Sequence, residues 1–286
     1  MTGLPSNRRA AFILKSQMET VKRPIGIFDS GVGGLTVAHA VRQTLPGETI
    51  IYFGDTAHLP YGDKSAEAIT AYSRGITDFL LGYDAKMVLI ACNSASASAY
   101  ETLQKEFSDR IIILDVINPV VEYIASRKFK RVGVIGTKRT ISSGTYDRMI
   151  REISPSTEVC SLATPLLVPM IEEGFIFDDI SNAIIRTYLS DSNLNNIEAL
   201  ILGCTHYPII RNQISKFFNF NLEIVDSARI VASRLKEVLE KHGLINNGPA
   251  AGPDLFFVSD YTEYFEKIAR MFFEGNLYLE KADIWT

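Results

Sequence analysis

The stretch EALILGCTHYP, from Glu198 to Pro208, decides the predicted fold. Its apolar residues predict a buried strand that ends at a glycine and presents Cys204, followed by two polar residues. A second copy of the pattern, MVLIACNS, spans residues 87–94 and presents Cys92, so the two cysteines stand 112 residues apart, from 92 to 204. Two cysteines on matching strands of similar half-molecules suit a reaction in which one atom is approached from opposite sides.

Two further repeats keep nearly the same register. Arg131–Thr137 repeats Pro24–Ser30 at an offset of 107 residues, from 30 to 137, and Ile224–Asp226 repeats Ile113–Asp115 at an offset of 111, from 115 to 226. Repeats that share a register indicate duplication of one unit. Strands alternate with helical segments in both halves, which predicts an α/β fold of two pseudosymmetric domains. Each domain would hold a mainly parallel sheet flanked by helices, with the active site in the interdomain cleft where the strand ends meet.

The predicted domain boundaries follow from this repeat. Residues 1–23 form an N-terminal extension, residues 24–117 together with 228–286 form the first domain, and residues 118–227 form the second. The strand predicted at Leu255–Val258 and the amphipathic segment after it are expected to return to the first half. The first domain would then carry one cysteine and the second domain the other.

Composition and charge narrow the class of protein. The chain has 286 residues, 47% of them hydrophobic, a net charge of −4 at pH 7 and three cysteines. Such a chain is long enough for two domains. Because its net charge is negative, it has no overall positive electrostatic potential to attract nucleic acid, so we expect a small-molecule ligand and no nucleic-acid partner. An odd number of widely spaced cysteines is typical of a reducing compartment. Since no signal-peptide core and no apolar run of about 20 residues is present, we expect a cytoplasmic protein with no membrane contact.

Cys92 and Cys204 are the candidate acid/base groups. An ordinary thiol has a pKa of about 8.5, so a cysteine used as a base needs a helix N-terminus or a polar partner to ionise. We expect each cysteine to lie at a strand exit before a helix, where free N–H groups favour negative charge. Cys160 has no such surroundings and is assigned the commonest role of an unpaired cysteine, a small buried residue. Polar residues follow the two candidate sulfurs: Asn93, Ser94, Thr205 and His206.

Three alternatives stay open on the residues alone. The glycine-rich turn after Asp29 could be a dinucleotide loop, but its last fingerprint position is Thr36, so we favour a loop whose amides bind a carboxylate, with Asp29 pointing into the cleft. The two cysteines with His206 and Asp29 could ligate zinc, although no C-x-x-C pair is present. A hydrolase could use Cys204 with His206, but it would leave Cys92 unexplained.

Six motifs resemble those of the glutamate racemase family in order and spacing. They are DSGVGGL from Asp29, GDTAHLPYG from Gly54, ACNSASA from Ala91, GTKRT from Gly136, LLVPMIEEG from Leu166 and GCTHYP from Gly203. The resemblance runs from about Pro24 to the end of the chain, and six motifs together make it specific. It implies a racemase that uses no cofactor and no metal, whose two α/β domains enclose free glutamate. One thiolate would remove the α-proton, and the opposite thiol would donate one to the other face.

The resemblance also assigns roles by motif position. It implies that Cys92 and Cys204 are the acid/base pair, that Asp29 assists the first of them and that His206 with Glu172 assists the second. The substrate-binding positions of the family include Asp29, both cysteines and His206. The other substrate-binding positions fall on Ser30, Pro60, Tyr61, Gly62, Asn93, Ser94, Thr137, Thr140 and Thr205. Ser94 stands where the family usually has threonine, which keeps the hydroxyl but loses a methyl group.

The same resemblance implies partners and a biological role. The product, D-glutamate, would supply peptidoglycan synthesis and so cell-wall biogenesis and cell shape. The extension over residues 1–23 looks like that of family forms activated by a UDP-muramoyl-alanine precursor, and we expect a homodimer. The alternatives are an aspartate racemase or related superfamily isomerase and, from another class, a non-catalytic binding protein, since some family members are described as gyrase inhibitors.

Overall fold

The computed structural model describes residues 19–176, 178–273 and 278–285. Most of the predicted N-terminal extension, and any activator site on it, therefore lies outside the described residues.

The strands are β1 (Ile25–Asp29), β2 (Ile50–Gly54), β3 (Met87–Ile90), β4 (Ile112–Asp115), β5 (Arg131–Gly136), β6 (Glu158–Ala163), β7 (Ala199–Gly203), β8 (Glu223–Val225), β9 (Leu255–Val258) and β10 (Tyr278–Lys281). The helices are α1 (Leu35–Thr44), α2 (Ala66–Gly82), α3 (Asn93–Phe107), α4 (Asn118–Arg127), α5 (Lys138–Ser142), α6 (Thr145–Ile153), α7 (Leu167–Glu172), α8 (Asp179–Leu189), α9 (Arg211–Phe217), α10 (Ser227–Lys241) and α11 (Glu263–Phe272).

Two parallel sheets form the framework of the molecule. The strand order is β10-β9-β2-β1-β3-β4 in the six-stranded sheet and β6-β5-β7-β8 in the four-stranded sheet. Every pair of neighbouring strands is parallel. The order β2-β1-β3-β4 therefore recurs as β6-β5-β7-β8, as duplication of one unit requires. The predicted α/β class, with two mainly parallel sheets flanked by helices, is confirmed.

Each sheet has a central strand that is buried along its whole length. Every residue of β1 and of β7 is buried, which matches their continuous apolar sequences, because a parallel sheet is covered by helices on both faces. The sequence analysis does not predict β6. This strand lies at the edge of its sheet and its sequence, EVCSLA, is only partly buried, so the apolar signal is weak.

The chain crosses from the second half back to the first through α10. This helix packs mainly against α1 and also against α4, and one hydrophobic cluster that contains Ile27, Val134 and Val231 runs through both halves. β9 then pairs with β2, so the C-terminal segment extends the first sheet. These contacts agree with the proposed assignment of the C-terminal segment, while the domain boundaries themselves stay a prediction. None of the helices in the described ranges has the length and apolar character that spanning a bilayer requires.

Candidate active site

One cleft between the two sheets gathers most of the predicted site residues. Its walls come from both halves, because segments that follow β1, β2, β3, β5, β6 and β7 all reach it. The predicted residues that line it are Ser30, Pro60, Tyr61, Gly62, Cys92, Asn93, Ser94, Thr137, Cys204, Thr205 and His206. The three other predicted residues, Asp29, Thr140 and Glu172, lie behind this wall and contact it through hydrogen bonds.

Cys92 is the N-cap residue of α3 and follows β3 after one residue. Its thiol is 5% exposed and donates to Ser30 Oγ at 3.7 Å. Burial, followed by the negative charge of Asp29, raises the pKa of Cys92 far above its usual range, and the hydrogen bonds from Ala95 N–H and Ser30 offset only part of this rise. The charge of Cys204 also raises the pKa of Cys92. The expected position at a helix N-terminus is therefore correct, but burial outweighs its effect, and Cys92 is a protonated thiol at neutral pH.

Asp29 is fully buried beneath the glycine-rich turn. Its Oδ2 accepts hydrogen bonds from the backbone N–H groups of Gly31 at 2.9 Å and Gly34 at 3.0 Å. Its Oδ1 accepts a third from Thr205 Oγ1, on the opposite half, at 3.3 Å. The amides of the turn thus bind the Asp29 side chain itself, whereas the expectation was that Asp29 points into the cleft and leaves the amides for another carboxylate. These two amides are not free for a dinucleotide phosphate, which removes the basis of that alternative.

Cys204 follows β7 and has a histidine partner. Its sulfur lies 3.7 Å from His206 Nδ1, and His206 Nε2 lies 3.0 Å from Glu172 Oε1. Burial lowers the pKa of His206, but the hydrogen bonds and charges of Cys204 and Glu172 together outweigh burial, so this pKa is raised well above its usual value. The raised pKa favours a positive charge on His206, and its Nδ1 is the atom that lies against the Cys204 sulfur.

The segment that follows Cys204 differs from the one that follows Cys92. A short 3₁₀ turn, Tyr207–Ile210, comes first, and α9 begins at Arg211. A helix therefore follows this cysteine, as expected, but only after a 3₁₀ turn. His206, with Glu172 behind it, is the side chain that contacts this sulfur.

Hydroxyl groups close the cleft between the halves. Ser94 Oγ lies 2.9 Å from Thr137 Oγ1 and 3.3 Å from Thr140 Oγ1, so the serine that replaces the usual threonine still forms the expected type of bond. Gly62 lies against Thr137, and a Cβ at this glycine would lie 2.9 Å from the threonine Cβ. Only glycine therefore allows the turn to approach the second half so closely.

The sequence analysis missed a buried carboxylate that supports Tyr61. Asp55 is fully buried and accepts hydrogen bonds from Tyr61 Oη at 2.6 Å and Ser259 Oγ at 2.7 Å, and His58 Nδ1 lies 2.9 Å away. The serine lies just after β9, at the far end of the chain. Asp55 belongs to a quoted motif, GDTAHLPYG, but no local pattern indicates that its partners include a residue 204 positions away.

Several lining residues were not predicted. They are Leu59, Asp63, Lys138, Thr164, Pro165, Val168 and Pro169. Thr164 and Pro165 follow β6, the strand that the sequence analysis does not predict, and the duplication register would have indicated both, because β6 corresponds to β2.

Cys160 lies on β6 and is buried, as assigned. Over the described ranges no three His, Cys, Asp or Glu side chains are grouped so that they could hold a metal ion.

Comparison with known proteins agrees with the fold. Residues 35–235 match the family described as Asp/Glu/Hydantoin racemase, and the chain belongs to that family. The predicted resemblance to glutamate racemases, which are amino-acid isomerases, is also confirmed. A glutamate racemase of Chlorobaculum parvum is 44% identical over 89% of this chain and 93% of its own length. A glutamate racemase of Neisseria gonorrhoeae is 39% identical over 88% of this chain and 93% of its own length.

Two solved structures extend the comparison. Glutamate racemase from Francisella tularensis, crystallised with D-glutamate, has a TM-score of 0.86 at 38% identity and covers 93% of this chain and 99% of its own. Escherichia coli glutamate racemase, in complex with L-glutamate and the activator UDP-MurNAc-Ala, has a TM-score of 0.75 at 25% identity and covers 91% of this chain and 98% of its own.

Proposed function

We propose that this chain interconverts L- and D-glutamate with two cysteines as the acid/base pair and without a cofactor. The observation that carries the proposal is the position of the two thiols. Cys92 and Cys204 line one cleft, follow equivalent strands of two matching sheets, and are close enough for one charge to affect the pKa of the other. Two groups on opposite walls can serve opposite faces of one carbon atom.

Each cysteine and its polar neighbours form one half-site, and the resting charges of the two half-sites differ. This difference gives the direction of the first proton transfer. His206 favours a thiolate at Cys204, whereas burial keeps Cys92 protonated. The Cys204 thiolate takes the α-proton from one enantiomer, and the electron pair of the broken C–H bond moves into the carboxylate as an enediolate. Cys92 then donates its S–H proton to the opposite face. The other enantiomer reacts in reverse and begins with Cys92 as the thiolate.

An α-proton beside a carboxylate is a very weak acid, so the cleft must stabilise the enediolate with fixed donors. The N-terminus of α3 begins at Asn93, and hydroxyls of Ser30 and Thr137 also line the cleft. Lys138 lines the same wall and can attract the negative charge of the substrate. These groups bind carboxylate oxygens in the same way for both enantiomers.

The experiment that tests this function is incubation of the purified chain with L-glutamate in D₂O without added cofactor. We expect optical rotation to fall to zero while one deuterium enters the α-position for each inversion. Absence of α-exchange would reject the racemase function. Aspartate is the control substrate, because turnover of aspartate at the rate of glutamate would favour the aspartate racemase alternative.

The wider role rests on the family. We propose that the product supplies peptidoglycan synthesis in the cytoplasm and that the protein forms a homodimer.

We also propose that a UDP-muramoyl-alanine precursor activates this chain through residues 1–23, since the relative from E. coli binds UDP-MurNAc-Ala as an activator. A shortened chain that begins at residue 24 tests this proposal. Activation of the full chain alone supports it, and equal activation of both chains contradicts it.

A further inference from the structure

The side-chain amide of Asn93 is bound by a residue from the opposite half. Tyr146, on α6, donates its hydroxyl to Asn93 Oδ1 at 2.8 Å, and each residue is only 2% exposed. Asn93 is the first residue of α3 and directly follows Cys92, whereas α6 packs against β6 of the second sheet. The bond therefore crosses between the halves beside one of the two thiols. No motif indicated Tyr146, which lies 53 residues from its partner.

The other end of this amide, Nδ2, has no hydrogen-bond partner in the part of the chain that the structure describes, although it is buried. A buried donor without an acceptor is costly, and native proteins contain few of them. Asn93 also lines the cleft, where the proposed substrate brings carboxylate oxygens. An amide N–H and a carboxylate oxygen form a charge-assisted hydrogen bond. The unpaired nitrogen is therefore best explained as a donor to the substrate.

Tyr146 decides which end of the amide faces the cleft. Burial, followed by the negative charges of Asp115 and Cys204, raises the pKa of Tyr146 well above its usual value, so the phenol keeps its proton. Within the described residues this hydroxyl has no other acceptor than Asn93 Oδ1. If the Asn93 amide were flipped, Oδ1 and Nδ2 would exchange places. The phenol proton would then lose its acceptor, and Oδ1 would point at the substrate carboxylate. Both changes are unfavourable, so the tyrosine fixes the amide orientation.

We propose that Tyr146 is a positioning residue that holds the Asn93 amide with Nδ2 toward a carboxylate of the substrate. The inference rests on the proposed function, because it requires an anionic substrate in the cleft. Tyr146 acts only through Asn93 and does not contact the reacting atoms.

A double-mutant cycle tests this coupling. Tyr146→Phe removes one hydroxyl and is expected to lower kcat/KM for glutamate about tenfold, the effect of one misdirected hydrogen bond to a charged group. Asn93→Ala is expected to lower it at least as much. In the Asn93→Ala background, Tyr146→Phe should change kcat/KM by less than about twofold, because the group that it orients is gone. Tyr123→Phe, which removes a tyrosine hydroxyl bonded to Glu223 away from the cleft, is the matched control and should leave kcat/KM unchanged.

Equal losses from Tyr146→Phe in both backgrounds would overturn the inference, because a tyrosine that only stabilised the fold would act without Asn93. Wild-type kcat/KM in Tyr146→Phe would overturn it as well. An inactive wild-type protein would reject the proposed function instead. The same cycle would then be measured as the affinity for D-glutamate by calorimetry, with the same expected coupling and the same contradicting result.

Discussion

The two cysteine half-sites occupy equivalent places in a duplicated fold but obtain their charge in different ways. Cys92 is the N-cap residue of a long helix and is buried beside Asp29, and both burial and this charge raise its pKa. Cys204 precedes a 3₁₀ turn and lies beside His206, whose pKa is raised by its contacts with Cys204 and Glu172. The duplication therefore supplied the positions of two thiols, whereas separate polar partners supplied their chemistry. The proposed mechanism uses this difference, since one thiol donates a proton while the other accepts one.

The largest expected effect comes from removing either thiol. Cys92→Ala and Cys204→Ala should each lower racemisation by about 10³–10⁴-fold, the contribution of a general acid or base. The thiol that remains can still exchange the α-proton on its own face. We therefore expect each variant to exchange deuterium into one enantiomer only, with retention of configuration, and the two variants to prefer opposite enantiomers. Nuclear magnetic resonance of each enantiomer in D₂O measures this.

The enantiomer that each cysteine variant exchanges can also contradict the two-sided arrangement of the thiols. If both exchanged the same enantiomer, the two thiols would serve one face and the comparison between half-sites would fail. Cys160→Ala is the matched control, because this cysteine lies on β6 and does not line the cleft. It should racemise glutamate like the wild-type protein.

The second prediction concerns the histidine that distinguishes the two half-sites. The pKa of His206 is raised, so its positive charge is present at neutral pH and is lost only as the pH rises through that raised pKa. Activity should therefore fall on the alkaline side of the pH profile. His206→Gln should lower kcat about 100-fold and remove this alkaline fall. An unchanged alkaline fall in His206→Gln would show that another group controls it, and His39→Gln, outside the cleft, is the control.

A third, smaller effect tests the packing between the half-sites. Gly33, in the turn above Asp29, lies so close to the second half that a Cβ there would be 2.5 Å from His206 Nδ1 and 2.5 Å from Thr205 Oγ1. Gly33→Ala should therefore displace the histidine from Cys204 and lower kcat about 10- to 100-fold. Gly82→Ala, where a Cβ would meet nothing within 4 Å, should keep full activity. A fully active Gly33→Ala would mean that the position of His206 does not matter.

The smallest effect on activity is expected at an ion pair that belongs to the first half alone. Lys86 Nζ bonds Glu48 Oε2 with both side chains at most 1% exposed, and no described ion pair of the second half is buried as deeply. The lysine also donates to the backbone oxygens of Val21 and Leu244. Lys86→Met should lower the free energy of unfolding by about 3–5 kcal/mol, because it leaves a buried carboxylate without its partner.

Urea unfolding measures this loss, and activity of the folded variant should be close to normal. Replacing both partners, as in Lys86→Met with Glu48→Leu, should recover much of the stability, because no charge is then buried alone. A single variant as stable as the wild type would show that the pair does not hold the N-terminal residues and the segment after α10 to the first sheet.

Much of the fold could be predicted because buried parallel strands have continuous apolar sequences. The apolar letters MVLI of the repeat that precedes Cys92 are the strand β3, Met87–Ile90. β6 could not be predicted from its own sequence, because an edge strand buries too few of its residues. The 3₁₀ turn after Cys204 was missed because the spacing of apolar residues does not separate one turn of 3₁₀ helix from the start of an α-helix.

The site was predicted less completely than the fold, for a physical reason. Motifs indicated the residues that face the cleft, but not the bonds that orient them. Asp29 captures the amides of its own turn, Asp55 reaches Ser259, and Tyr146 reaches Asn93 across the cleft. Each of these bonds is decided by the tertiary fold and leaves no periodic pattern in the sequence. The catalytic roles of the cleft residues stay predictions until the variants are measured.

The most direct test of the central claim is the geometry of a crystal structure with D-glutamate bound. The account predicts that the sulfurs of Cys92 and Cys204 lie on opposite faces of the α-carbon, each about 3.5 Å from it, as a reactive complex requires. Two sulfurs on the same face, or one farther than about 6 Å from that carbon, would contradict the account.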